Sequence, residues 1–240
     1  MKLLFFLFLS LQAIAQEGTE TREMIGHLGN RSTLLVLHTS RNADGSSRLT
    51  GEYIVLPALQ RRFVDGESSP EIGVTTLREG TTPILFGREP TGELRGTRRG
   101  GVFKGTRYGP GGQVRERFEF SEEFPAMTGY GATVRCDARD AAYASSLAYA
   151  VDAGTIKSFE WRSRLTPSGH SCNIAAGEQR AFKGGLQLVA GRCTVTLRDL
   201  GDYVRVAAEN CAELCGSQAY LEALLIDKRG ACSLMRPEPR

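Results

Sequence analysis

The sequence predicts a mainly β protein, with an N-terminal antiparallel β domain of the meander or barrel type followed by a small disulfide-stapled β module with one short helix. Three observations predict this fold class. Short runs of β-branched and aromatic residues alternate with turn residues in the first half of the chain. All six cysteines lie at or beyond residue 136. The 240 residues, of which 41% are hydrophobic, suffice for one large or two small domains with real cores.

The N-terminal half is predicted to form successive antiparallel strands. Four segments have strand composition and are separated by NADG, VDGESS and REG; they are STLLVLHT, LTGEYIVL, PEIGVTTL and TPILFG. A fifth, VRERFEF, places Val114, Phe118 and Phe120 on one face and Arg115, Arg117 and Glu119 on the other. Only Glu116 breaks this alternation.

An internal repeat, GELRGTR at 92–98 and GVFKGTR at 101–107, predicts a hairpin joined by Arg99-Gly100. In that register Arg95 lies opposite Lys104, and like charges facing each other are unfavourable unless solvent or an anion relieves them. The hairpin is therefore a candidate anion-binding patch, made of Arg95, Arg98, Arg99, Lys104 and Arg107. The alternative is a solvated edge whose cations deter edge pairing.

The alanine-rich segment 136–154 is predicted to contain a helix. Asp137 is a candidate N-cap, and Tyr143, Leu147 and Val151 are spaced by four on one helical face. The following TIKSFEW has strand character, and we expect its Trp161 to anchor the core rather than bind a ligand.

Two hairpins are expected after the helix. In CTVTLRDLGDYVRVAA, a turn from Asp199 to Asp202 would place Val195 and Leu197 opposite Val206 and Val204, giving one apolar face. The second hairpin joins AYLEALLI and ACSLM around the turn at 227–230.

The cysteines are predicted to form disulfides rather than a metal or redox site. Cys211 and Cys215 are three residues apart, no histidine follows His170, and no Cys-x-x-Cys motif is present. Spacing alone leaves the connectivity open, although Cys193 and Cys211 would meet at the open end of the first hairpin. We therefore expect no metal and no cofactor. The six predicted disulfide cysteines are Cys136, Cys172, Cys193, Cys211, Cys215 and Cys232.

The first residues have the features of a signal peptide. Met1–Leu11 is an apolar run behind Lys2, and Ala13-Ile14-Ala15 supplies the small residues of a cleavage site. We expect a signal peptide at 1–15, a β domain at 16–124, a boundary near 124–131 and a cysteine-rich module at 131–240. No later stretch is apolar for the roughly twenty residues of a membrane span, so a soluble periplasmic or secreted protein is expected.

Charge and motifs argue against several function classes. The formal net charge is only +3, which gives no global reason to expect nucleic-acid binding. The sequence contains no Gly-x-Ser-x-Gly nucleophile elbow and no His-Glu-x-x-His zinc-binding motif. It also contains no phosphate-binding loop and no dinucleotide-binding fingerprint. His38 could lie beside His27 on a neighbouring strand, but such histidines are usually structural. Two carboxylate pairs could serve glycan hydrolysis; they are Asp152 with Glu160 and Glu209 with Glu213.

A family resemblance rests on the segments already quoted. LTGEYIVL, IGVTTLRE, TGELRG, FKGTRYGPGG and RFEF resemble the strand pattern of uncharacterised exported two-domain β-rich proteins of Gram-negative bacteria, and GRCTVTLRDLGDYVRVAAENCAELCGSQAYLE is similar to cysteine-bearing β modules of such proteins. A fainter similarity is to periplasmic lysozyme inhibitors, stapled β-barrels that insert a loop into the enzyme's cleft. Those inhibitors carry a Ser-Gly-x-x-Tyr loop, whereas Ser168-Gly169-His170-Ser171 is followed here by Cys172.

Two functions are therefore expected, in order of preference. The first is a non-catalytic exported binding protein whose loops meet an envelope protein or glycan, with lysozyme inhibition as its most concrete version. The second is a hydrolase of envelope polysaccharide or peptidoglycan with an unrecognised carboxylate site.

The signal peptide and the cysteine pairing are tested together by intact-mass measurement of the exported protein. We expect cleavage before Gln16 and no thiol that can be alkylated without reduction, because an exported chain meets oxidising conditions. Two or more alkylatable thiols in the native protein would contradict the disulfide prediction.

Overall fold

The computed structural model describes residues 20–41, 46–68, 73–82, 89–166, 168–175, 177–216 and 221–235. The predicted signal peptide and most of the TPILFG segment lie outside the described residues. The structure is mainly β, as predicted, and within the described residues no helix is long and apolar enough to cross a membrane.

The N-terminal part forms a closed barrel of eight antiparallel strands, in which each strand pairs with the next and β1 pairs with β8. This confirms the predicted N-terminal antiparallel β structure. The strands are β1 (Glu20–Leu28), β2 (Arg31–Arg41), β3 (Ser47–Val55), β4 (Gln60–Ser68), β5 (Val74–Gly80), β6 (Gly92–Arg99), β7 (Val102–Tyr108) and β8 (Val114–Ser121).

The side chains that point into the barrel pack together as one hydrophobic core. Phe103, Phe118 and Phe120 are buried together, with ring centroids 4.7 Å apart for the first pair and 5.4 Å for the second. Gly66 lies between inward-facing Leu49 and Leu77, and a Cβ at this position would overlap the backbone oxygen of Thr76. A glycine here lets neighbouring backbones approach closely in a tightly coiled sheet.

The β6–β7 hairpin forms as predicted, but its register differs from the predicted one by two residues. The turn is Gly100-Gly101, and both glycines have positive φ, at 59° and 77°, as a two-residue hairpin turn requires. Arg95 therefore lies opposite Thr106, and Lys104 lies opposite Thr97. The predicted repulsion between Arg95 and Lys104 was wrong.

The C-terminal part contains a four-stranded and a six-stranded sheet, whose inner faces share one hydrophobic core built around Trp161. Trp161 is fully buried and donates from Nε1 to Ser145 Oγ at 2.8 Å, so the predicted core role is confirmed. The four-stranded sheet has the order β12-β11-β10-β9: β9 (Ala132–Arg139), β10 (Tyr143–Asp152), β11 (Thr155–Leu165) and β12 (Ser171–Ile174).

The six-stranded sheet runs from β13 to β18 in chain order. Its elements are β13 (Glu178–Arg180), β14 (Leu186–Ala190), β15 (Cys193–Asp199), β16 (Tyr203–Glu209), β17 (Leu224–Asp227) and β18 (Cys232–Leu234). The single helix of the described residues, α1 (Ala212–Cys215), follows β16. The predicted hairpin around 227–230 is confirmed by β17 and β18.

The helix predicted within 136–154 was wrong, because this segment forms β9 and β10. Tyr143, Leu147 and Val151 do share a buried face, as predicted, but on a strand, where every second residue points inward. A spacing of four fits both a helical period of 3.6 and a strand period of 2, so the apolar positions could not distinguish them.

The β15–β16 hairpin also forms with a register two residues from the predicted one. Leu197 lies opposite Val206, but Val195 lies opposite Ala208 and Asp199 opposite Val204. The turn lies between Leu200 and Tyr203, where Leu200 donates its N–H to the Tyr203 carbonyl at 2.8 Å. The predicted pairs Val195–Val206 and Leu197–Val204 were therefore wrong.

All six cysteines are paired, as predicted. Cys193 bonds to Cys211, which confirms the predicted pair. Cys136 on β9 bonds to Cys232 on β18 and links the two sheets, while Cys172 on β12 bonds to Cys215 at the end of α1.

The outer face of the six-stranded sheet packs against the barrel. Leu34 and Ile54 of the barrel are buried with Tyr203 and Leu225 of the sheet. The four-stranded sheet thus forms the layer farthest from the barrel, with the six-stranded sheet between them.

Glu23 of the barrel binds two arginines of the six-stranded sheet at this junction. Arg198 Nη1 lies 2.7 Å from Glu23 Oε2, and Arg205 Nη1 lies 2.8 Å from Glu23 Oε1. Arg198 and Arg205 are directly opposite each other on β15 and β16. Arg198 also lies over the Phe124 ring, 4.4 Å from its centroid.

Replacement of Glu23 by Gln is expected to lower the free energy of unfolding by about 3 kcal/mol, because two largely buried arginines would lose their shared carboxylate. Urea denaturation measures the loss. The control is Glu20→Gln, which breaks a more exposed pair with Arg22 and should cost less than about 1 kcal/mol. Equal losses for the two variants would show that Glu23 does not hold the junction.

Candidate functional site

The predicted cationic hairpin does not form a patch of free charges. Arg95 Nη2 lies 2.6 Å from Glu93 Oε1, and Arg98 Nη2 lies 3.4 Å from Glu122 Oε1. Lys104 lies opposite Glu119 of β8. Arg99 is exposed beside the turn and has no ion-pair partner within the described residues.

Arg107, the fifth predicted residue, points into the barrel. Its Nε and Nη2 bind the two oxygens of the fully buried Glu79 at 2.7 and 2.8 Å, and its Nη1 binds Glu116 at 3.1 Å. Arg31 also binds Glu116, at 2.7 Å. Glu116 breaks the alternation of its strand because it belongs to this ion cluster, which closes one end of the barrel.

The environment of Glu79 favours its ionised form. Burial raises the pKa of this carboxyl, but hydrogen bonds from Arg107 and Tyr53, together with the charges of Arg107 and Arg62, outweigh burial and hold the pKa below its ordinary 4.5. Burial, followed by the charge of Glu79, raises the pKa of the Tyr53 hydroxyl, which stays protonated and able to donate. The cluster therefore has a structural role, because its buried charges are paired with one another.

Lys104 does line a groove on the outer barrel surface. This groove has a volume of about 560 Å³ and is shared with His27, Arg117 and Glu119. Because Lys104 and Glu119 are cross-strand neighbours, the groove carries charges of both signs.

The predicted histidine pair does not form. His38 lies opposite Thr21 and its Nδ1 is 2.9 Å from Thr21 Oγ1, whereas His27 lies opposite Ser32. Six residues along β1 separate the two positions, a distance of about 20 Å. Within the described ranges no group of three or more His, Cys, Asp or Glu residues could hold a metal ion.

Three of the four carboxylates in the predicted pairs bind cations. Glu160 binds Arg162 at 2.5 Å, Asp152 lies 3.9 Å from Lys157, and Glu213 binds Arg192 at 3.1 Å.

Glu209, the remaining predicted carboxylate, lines a small cleft of about 260 Å³ between the barrel and the six-stranded sheet. Glu52 and Glu222 line the same cleft, and Glu52 binds Arg61 at 2.9 Å.

A larger groove, of about 820 Å³, lies on the outer face of the four-stranded sheet, on the side away from the barrel. We call it the arginine groove. Its floor is formed by the small side chains of Ala144 and Ser146 on β10, and its outward-facing side chains are Asp137, Arg139, Arg162, Arg164, Ser171 and Asn173.

Strand register sets the positions of the groove's charges. Arg139 on β9 and Arg164 on β11 both lie directly opposite Ala144 of β10, so their Cα atoms are about 10 Å apart with only a methyl group between the side chains. Both arginines are exposed, and neither has an ion-pair partner within the part of the chain that the structure describes. Asp140, in the adjoining turn, directs Oδ1 to the N–H groups of Ala142 and Tyr143.

Two guanidinium groups that flank an alanine can both reach an anion placed above it. A guanidinium donates in a planar fork that matches carboxylate and phosphate oxygens. The Ser171 hydroxyl adds a further donor on β12, opposite Arg164. This part of the groove is therefore suited to binding one anionic group.

Sequence reasoning missed the arginine groove because 136–154 was assigned to a helix. The sequence does contain the pattern of a strand. On β10, the small residues Ala144, Ser146, Ala148 and Ala150 alternate with buried residues. Arg162 and Arg164 alternate in the same way with buried Trp161 and Ser163.

Comparison with known proteins gives no further guide to function, since no protein-family model, curated protein or solved structure matches this chain.

The ion cluster predicts acid sensitivity of the barrel. A carboxyl with a lowered folded-state pKa contributes stability above its unfolded pKa, and this contribution is lost as the pH falls toward the folded-state value. Glu79→Gln should be less stable than the wild type by about 3 kcal/mol at pH 7, with the difference shrinking below about pH 4.5.

Chemical denaturation between pH 7 and pH 3 measures this difference. Glu93→Gln, which removes the more exposed partner of Arg95, is the matched control and should change stability by less than about 1 kcal/mol. A gap between wild type and Glu79→Gln that stays constant over the whole range would contradict the assignment.

Proposed function

We propose that this chain is an exported, non-catalytic binding protein of the cell envelope that holds an anionic partner in the arginine groove. One observation carries the proposal: Arg139 and Arg164 flank Ala144, and both lack an ion-pair partner within the described residues. Fifteen of the other twenty arginines within the described residues are paired with a carboxylate. Two adjacent free guanidinium groups in a groove are therefore available to a partner.

The scaffold around the groove supports a role outside the reducing cytoplasm. Three disulfides connect the strands and loops of the C-terminal part, and Cys172 is next to Ser171 of the groove. Disulfides of this kind persist in oxidising compartments such as the periplasm or the extracellular space. A periplasmic or secreted location is consistent with this and with the predicted signal peptide.

The binding role has more support than hydrolysis. An enzyme site needs titratable groups that converge in a deep cleft, whereas the arginine groove is an open sheet surface with a single carboxylate, Asp137, among its lining residues. The hydrolase alternative depends on the junction cleft with Glu52, Glu209 and Glu222, whose volume of about 260 Å³ is small for a glycan. Glycan-hydrolysing activity that Glu209→Gln abolishes would favour that alternative.

Lysozyme inhibition remains the most concrete version of the binding proposal. Ser168, Gly169 and His170 form an exposed turn beside the groove, which could reach into an enzyme cleft. The tyrosine position of the inhibitor loop is occupied by Cys172, which is buried and bonded to Cys215. An inhibition assay on lysozyme with and without this protein tests the version directly.

The proposal predicts that a carboxylate built into the arginine groove will displace the partner. Ala144→Glu places an acid between Arg139 and Arg164, and we expect at least about a tenfold loss of partner retained from envelope extract, because the two guanidinium groups become paired. Retention by the wild type should fall as salt is raised.

Ala150→Glu is the matched control. It lies on the same strand and the same face, but its cross-strand neighbours are Thr133 and Ser158, so retention should equal that of the wild type. Equal retention by the wild type and Ala144→Glu at both salt concentrations would remove the arginine groove from consideration.

A further inference from the structure

The net positive charge of the arginine groove is confined to one end. Four rows of outward-facing side chains cross the sheet, each centred on one small residue of β10. The first row contains two arginines and no carboxylate, and each of the other three rows has no net charge. In order along β10 they are Arg139-Ala144-Arg164-Ser171, Asp137-Ser146-Arg162-Asn173, Arg135-Ala148-Glu160 and Thr133-Ala150-Ser158.

The small residues on β10 continue the groove as a shallow trough. Ala144, Ser146 and Ala148 lie on one face of the strand and span about 13 Å. Their short side chains leave room above the strand between the longer side chains of β9 and β11. A linear chain in extended conformation fits a trough of this shape.

We propose that the arginine groove binds the carboxyl-terminal segment of a peptide chain. The terminal carboxylate lies over Ala144 between Arg139 and Arg164, and the preceding, uncharged residues follow β10 toward Ala148. This inference rests on the proposed function and specifies its partner.

The distribution of charge favours one terminal carboxylate over a polyanion. Directly beyond the first row, an acidic group on the ligand would meet Asp137 in the second row. Arg162 offers no free charge, because it binds Glu160 at 2.5 Å. A polyanionic chain would therefore be attracted in the first row and repelled by Asp137 in the next, and only Arg135 in the third row, which has no ion-pair partner within the described residues, would attract it again.

The second row suits an uncharged peptide backbone. Asn173 can both donate and accept through its amide, and the Ser146 hydroxyl can do the same. Both are outward-facing and lie beside the position of the first residues that precede the terminal carboxylate. Capture of a chain terminus by its charge, with further hydrogen bonds along the backbone, is a known mode of peptide recognition.

The test uses the full exported protein and two peptides that differ only at their ends: N-acetyl-Gly-Ser-Ala-Ala with a free carboxylate, and the same peptide as its carboxamide. Binding is followed by NMR titration of the wild type, Ala144→Glu and Ala150→Glu. We expect the free acid to bind at least about tenfold more tightly than the amide, a difference of about 1.4 kcal/mol or more. Ala144→Glu should lose this preference, and Ala150→Glu should keep it because a tetrapeptide does not reach residue 150.

Poly-glutamate and polygalacturonate serve as the comparison ligands, with affinities expressed per carboxylate. The inference is overturned if the amide binds as tightly as the acid, or if either polyanion binds more tightly than the free-acid peptide. If a polyanion binds more tightly than the free-acid peptide and Ala144→Glu abolishes that binding, the proposed function stands while the peptide assignment is overturned. If Ala144→Glu changes the binding of none of these ligands, both the inference and the proposed function fail.

Discussion

The arrangement of the whole molecule depends on Glu23 of the barrel, which lies between Arg198 and Arg205 of the six-stranded sheet. Two arginines directly opposite each other on adjacent strands repel one another. Burial lowers the pKa of Arg198, and the charge of Glu23 opposes that effect. The barrel therefore supplies the carboxylate that the β15–β16 hairpin lacks.

The position of the arginine groove follows from this junction. Because the barrel covers the outer face of the six-stranded sheet, the outer face of the four-stranded sheet is the one left open. The disulfide between Cys136 and Cys232 connects the two sheets, so the strands that carry the groove are tied to those that contact the barrel. Arg139 and Arg164 thus lie on strands that the disulfide holds in place, so ordering the backbone of the groove on binding should cost little conformational entropy.

The sequence was a good guide to which side chains share a face and a poor guide to register. Both mispredicted hairpins are shifted by two residues, and a shift of two leaves every side chain on its predicted face. The turn at Gly100-Gly101 and the turn between Leu200 and Tyr203 each begin one residue later than predicted. The apolar pattern could not detect this difference, whereas the positive φ angles of the two glycines account for the first turn. The wrongly predicted helix has the same origin. Tyr143, Leu147 and Val151 indicate which face is buried, but their spacing does not show whether the backbone is a helix or a strand.

The candidate site was harder to predict than the fold because the availability of a charge depends on contacts distant in sequence. Arg107 was selected from a basic repeat, yet it binds Glu79, which is 28 residues away, and Arg98 binds Glu122, which is 24 residues away. Arg139 and Arg164 belong to no conspicuous basic cluster. They become a pair only because β10 pairs with β9 on one side and β11 on the other, with Ala144 between them. Whether an arginine is available to a ligand is therefore decided by strand pairing, and local charge density in the sequence does not reveal it.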